Sequence, residues 1–93
     1  MQTHELKTYP HYFQKTLDGK KLFECRLNDR KFQVGDRVIL REWDNIEYSG
    51  REIHGLITYI LDDKFIGLAK GYVIFSLNVY EIKRERNVNA RIY

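Results

Sequence analysis

Between Gly19 and Asp36 the chain reads GKKLFECRLNDRKFQVGD, and this span gathers the residues best suited to chemistry: Lys20, Lys21, Arg26 and Arg30, close to the carboxylates of Glu24 and Asp29. Cations at such density hold phosphate groups, and a carboxylate among them accepts a hydrogen bond from the exocyclic amine of a base. Tyr9, Tyr12, Trp43 and Tyr48 lie in neighbouring segments and offer faces on which unpaired bases stack at ~1–3 kcal/mol each. The candidate RNA- or ligand-binding residues are therefore Lys20, Lys21, Glu24, Arg26, Arg30, Trp43 and Tyr48, with Lys21 and Glu24 the candidates for catalysis. In its enzymatic form the cluster would use Glu24 as a base, with Lys21 and Arg26 stabilising an anion. The plain alternative is a solvated strand face carrying one or two ion pairs worth roughly 0–1 kcal/mol each. For Tyr9, Tyr12 and Trp43 the alternative is the core, and for Glu24 it is a pair with Arg26 on the same strand face.

The flanking elements must position these residues. Leu22 to Leu27 alternates, with Phe23, Cys25 and Leu27 on one face and Glu24 and Arg26 on the other. This pattern predicts a strand that buries the apolar set and turns Glu24 and Arg26 toward a concavity. Strict alternation puts Lys21 on the Phe23 side, so it reaches Glu24 only if the chain twists at Gly19-Lys20. Upstream, His4 to Lys7 suits a brief strand. Tyr9, Phe13 and Leu17 then recur at four-residue steps with Tyr12 and Thr16 alongside, predicting an amphipathic helix over 8–18 with Thr8 as N-cap, Pro10 in its first turn and Gly19 at its end.

Downstream, Asn28 to Arg30 is polar turn chemistry and Gly35-Asp36 closes a short extended piece. Arg37 to Trp43 predicts a strand with both faces partly covered, and Asp44 to Gly50 a hairpin loop. Arg51 to Leu61 gives the longest strand pattern, Ile53, Ile57, Tyr59 and Leu61 pointing one way and Glu52, His54 and Thr58 the other, with a bulge expected at Gly55. Asp62 to Gly71 is long for a hairpin and so a candidate functional loop. Tyr72 to Val79 alternates as the last clear strand, which Tyr80 to Lys83 extends. Lys83 to Tyr93 reads as a flexible basic tail or a last short strand. The pattern is mainly β with one or two helices: a small, twisted barrel or curled sheet with a helix covering one end.

Composition bounds what such a fold can do. Ninety-three residues predict a single domain, 1–93, near the lower limit for a stable core without staples. The 16 basic and 13 acidic residues leave a net charge of +3, mild for a nucleic-acid binder, so the distribution of charge has to carry that reading. The single cysteine, Cys25, excludes an internal disulfide and is expected to be a buried, inert thiol in a reducing compartment. No stretch is apolar enough for a signal peptide or a bilayer span, which predicts a cytoplasmic protein with no membrane partner. His4, His11, His54 and Cys25 lack ligand spacing and no glycine loop opens a helix, so neither metal nor cofactor is expected.

Gly19-x-Lys21-x-x-Glu24-x-Arg26 matches the GxKxxExR signature of the ASCH (activating signal cointegrator homology) domain, a branch of the PUA-like superfamily. With HELK at 4–7, NDR at 28–30, VGD at 34–36, LREW at 40–43 and GLxxGY at 67–72, about nine tenths of the chain resembles a small bacterial and phage family of that type. The resemblance implies a PUA-like β-barrel that binds RNA or a nucleotide-like ligand in a cleft beside the barrel. It also implies an alternative, since some small ASCH members hydrolyse an N4-acylated cytidine with the motif lysine, a threonine three residues later and a downstream glutamate. Lys21 matches, but Glu24 stands at the threonine position and Glu81 is the downstream glutamate available. A carboxylate beside a nucleophilic lysine favours its charged form, which cannot attack. A protein-interaction module using the barrel edge or the 62–71 loop is the third reading.

Overall fold

The computed structural model describes residues 1–86, which form five strands and one helix in the order β1 (Thr3–Thr8), α1 (Pro10–Leu17), β2 (Phe23–Leu27), β3 (Arg37–Trp43), β4 (Tyr48–Leu61) and β5 (Tyr72–Lys83). The strands make one mixed sheet ordered β1-β3-β4-β5-β2, curled into a half-barrel. β1 runs parallel to β3, Thr3 opposite Arg37 and Thr8 opposite Glu42, while all other neighbours are antiparallel. A parallel pair needs a long crossover; here the helix, β2 and the 28–36 connection supply it.

The helix begins one residue later than its apolar spacing predicts. Tyr9 is the extended residue before it and Pro10 occupies the first turn; Thr8 is instead the buried last residue of β1, its hydroxyl donating to Leu6 O. The helix ends as expected at Gly19, whose φ of +77° lets the Gly19 N–H reach Thr16 O and the Lys20 N–H reach Lys15 O. Phe13 and Thr16 are buried, whereas Tyr9 and Tyr12, assigned by spacing to the apolar side, stand half exposed. Phe13 packs into a core of Leu6, Phe32, Val38, Leu40, Ile53, Ile57, Val73, Phe75 and Leu77.

The β3–β4 hairpin is tighter than the sequence suggests. Asp44 Oδ1 accepts from the N–H groups of Ile46 and Glu47 and Asn45 takes a φ of +81°, so β4 starts at Tyr48 rather than Arg51. The expected bulge is present, with a register shift between His54 and Gly55, and a Cβ at Gly55 would lie 3.3 Å from Asn78 O. A second shift, between Ile57 and Tyr59, inserts Thr58 and reverses the alternation. Ile60 therefore packs on the core and Tyr59, expected inside, points outward. β5 continues to Lys83, and the basic tail expected over 83–93 lies from residue 87 onward outside the described residues.

Two buried ionic contacts brace the sheet. Asp36 accepts from Gln2 N, Gln33 N and the His4 ring, tying the start of β1 to the turn before β3. Burial pushes the Asp36 carboxyl up, but the His4 hydrogen bond and the two main-chain donors outweigh it and hold it below its ordinary value. Glu42 takes both Nε and Nη2 of Arg51 and the Ser49 hydroxyl, and the Arg51 bonds, against the effect of burial, likewise hold it low.

Candidate functional site

β2 alternates as predicted but with the opposite face inward. Phe23 and Leu27 are about half exposed (47% and 50%) and Cys25 is exposed, while Glu24 is only 3% exposed. The expected buried thiol is therefore an outward one. The physical reason lies at the sheet edge. Glu24 and Arg26 share the inner face with their register partners Phe75 and Val73, and at this end the inner face opens on a cavity rather than on close-packed core. A carboxylate can be buried there because two cations meet it.

Lys21 Nζ donates to Glu24 Oε2 at 2.6 Å and to Phe23 O at 2.9 Å. Lys21 precedes the first residue of β2, so the alternation that would have turned it away does not apply. Arg26 grips the other carboxylate oxygen, Oε1, with Nε at 3.0 Å and Nη2 at 2.9 Å. The same Nη2 donates to Lys7 O at 3.1 Å and Thr8 Oγ1 at 3.4 Å, crossing from β2 to β1. Arg30 makes a second crossing, its Nη1 donating to Glu5 O at 2.9 Å.

These arginines span the open side of the half-barrel. Leu77 N bonds to Leu22 O, so the main-chain groups of Phe23, Cys25 and Leu27 point away from β5; Arg37 N bonds to Gln2 O, so those of Glu5 and Lys7 point away from β3. Two free strand edges thus face each other, joined by guanidinium groups instead of a backbone ladder.

Between them lies a cavity of about 400 Å³, with Lys7, Thr8 and Tyr9 on one wall, Tyr12 and Lys21 at the helix side, and Phe23, Glu24, Cys25 and Arg26 on the other wall. Its rim is aromatic, and the Lys21 ammonium lies 5.8 Å from the Tyr12 ring and 5.2 Å from the Phe23 ring. A smaller hollow of about 190 Å³ lies on the far side of Arg26, lined also by Leu6, Leu27, Asp29, Arg30 and Phe32.

Of the residues singled out from sequence, Lys21, Glu24 and Arg26 meet in the larger cavity and Arg30 lines the smaller. Lys20 is exposed and lines neither. Trp43 stands behind the rim, its ring 6.0 Å from that of Tyr9 with the Lys7 ammonium 4.3 Å above it. Tyr48 pairs across the hairpin with Trp43 under the Arg41 guanidinium and is outside both hollows. Sequence reasoning missed Lys7, Thr8, Phe23 and Cys25 as wall residues. Only the parallel β1–β3 pairing brings Lys7 and Thr8 beside β2, and no local spacing signals it. Among the described residues no group of three or more His, Cys, Asp and Glu is arranged to hold a metal, and no helix is long and apolar enough to cross a membrane.

Fold and site define a small curled β half-barrel with an aromatic-rimmed cleft at its open side that holds a carboxylate between two cations. The chain belongs to the family described as "Domain of unknown function (DUF3850)", whose model matches residues 3–77. It is also similar to the "Uncharacterized 12.9 kDa protein in GpA 3'region" of Escherichia phage P2, at 41% identity over 59 residues, or 63% of this chain and 54% of the phage protein. The chain thus spans about half the length of that curated relative.

Proposed function

We propose that this protein is a PUA-like domain of the ASCH type that binds RNA or a nucleotide-like ligand in the cleft between β1 and β2, with Lys21, Glu24 and Arg26 at its centre. The observation that supports this most is the buried Glu24 carboxylate, braced by two cations beneath the rings of Tyr9, Tyr12 and Phe23. Such a site offers stacking faces to a base, a fixed acceptor for its amine and positive charge for its phosphate. A cytoplasmic location goes with this reading, as does the exposed, unpaired Cys25.

Binding is better supported than hydrolysis of an acylated nucleoside. Lys21 directs its hydrogens at Glu24 and Phe23 O, the geometry of an anchored cation rather than an attacking amine. Both Glu24 oxygens already accept bonds from cations, so the carboxylate is engaged by Lys21 and Arg26 rather than aimed at a substrate. The protein-interaction reading has one observation of its own: the register partners Leu27 and Tyr72 stand exposed on the outer face of β2 and β5.

The test is fluorescence anisotropy with unstructured RNA at low salt. Lys21→Ala should weaken binding by about tenfold or more, a loss of roughly 1.4 kcal/mol, while the melting temperature stays near that of the wild type. Undetectable binding by the wild-type protein at low salt would remove the reading and put the outer apolar face first.

A further inference from the structure

Arg26 belongs to both hollows, so they are two compartments of one track along the open side of the half-barrel, separated by a single guanidinium. Their linings differ in kind. The larger compartment carries the rings of Tyr9, Tyr12 and Phe23, whereas the smaller carries one guanidinium of its own, Arg30, and one carboxylate, Asp29. Arg30 is exposed and held by one nitrogen, Nη1, on Glu5 O, which fixes its position and leaves its remaining donors directed elsewhere. Asp29 is exposed and makes no ion pair among the described residues.

A free phosphate gains from Arg30 and Arg26 but is repelled by Asp29. A ribose-phosphate can use all three, because the 2′-hydroxyl donates to a carboxylate while the phosphate takes the guanidinium groups. We infer that the track takes single-stranded RNA of at least two nucleotides, one base lying in the larger compartment and the ribose and linking phosphate of the next nucleotide lying beyond Arg26 against Asp29 and Arg30. This rests on the nucleic-acid reading above and adds to it a minimum length and a preference for ribose over deoxyribose. DNA loses the Asp29 contact and keeps its repulsion.

The experiment compares ribonucleoside 5′-monophosphates, the corresponding ribodinucleotides and deoxyribodinucleotides by calorimetry on the full chain, with a thermal melt of every variant. The ribodinucleotide should bind about tenfold more tightly than the mononucleotide and than its deoxy counterpart. Arg30→Gln keeps a donor for Glu5 O but removes the charge; it should abolish the gain from the second nucleotide. Asp29→Ala should erase the ribose preference without weakening the deoxy ligand. Equal affinity for one and two nucleotides, or a length and sugar dependence that survives both substitutions, would overturn the inference while leaving the base site standing. If no nucleotide of either length binds the wild-type protein at low salt, the nucleic-acid reading and this one fall together.

Discussion

Glu24 shows how one residue's surroundings set the cost of changing its neighbours. An ion pair on a solvated strand would be worth at most ~1 kcal/mol, but the Glu24 side chain is only 4% exposed, against 19% for Lys21 and 27% for Arg26. Removing a partner therefore strands a buried carboxylate, although the second cation still holds one of its oxygens. Arg26 also ties β2 to β1, and Lys21 has no such second duty. Arg26→Ala should accordingly cost about 2–4 kcal/mol in urea unfolding, between the exposed-pair and broken buried-pair limits, and Lys21→Ala about 1 kcal/mol or less. Equal costs for the two would mean that the crossing bonds to Lys7 O and Thr8 contribute nothing to the fold.

At the level of elements, β1 is held on one edge by its parallel ladder with β3 and the His4–Asp36 contact at its start, and on the other by the Arg26 and Arg30 bonds. The folded Asp36 carboxyl lies below its ordinary value, so it stabilises the fold fully above about pH 4, and the contribution is lost as pH falls further through the depressed folded value. Glu42 has the same sign, over a window that opens slightly higher because the ordinary Glu value is 4.5 against 3.8 for Asp. Between the folded and unfolded values the unfolded chain binds more protons, and stability rises with pH there. Asp36→Asn should lower stability at neutral pH and flatten its loss on acidification below pH 4, measured by urea unfolding across that range. An unchanged acid limb would leave Glu42 and Arg51 as its cause.

For the molecule as a whole, a net charge of +3 and a central trio that already contains its own carboxylate limit how many phosphates can be engaged. Two contacts, one at Arg30 and one at the trio, predict that RNA affinity falls by about 1.4 log units per log unit of salt, at roughly 0.7 per contact. A slope near twice that would mean that Lys20, Lys21, Arg26 and Arg30 each meet a phosphate separately. The sequence by itself determined the mainly β class, the helix stop at Gly19, the Gly55 bulge and the alternation of β2, because these depend on the conformational limits of a few adjacent residues. Only the tertiary structure decided which face of β2 turns inward. Hydrophobicity favours Phe23, Cys25 and Leu27, but β2 sits at a sheet edge where the inner face opens on a cleft, and there a carboxylate clasped by Lys21 and Arg26 can be buried while the apolar set stays outside. The pairing of β1 with β3, which brings Lys7, Thr8 and Tyr9 to the other wall, was equally illegible. Parallel pairing joins segments more than thirty residues apart in register (Thr3 with Arg37), and no local pattern records which distant strand a short one will meet.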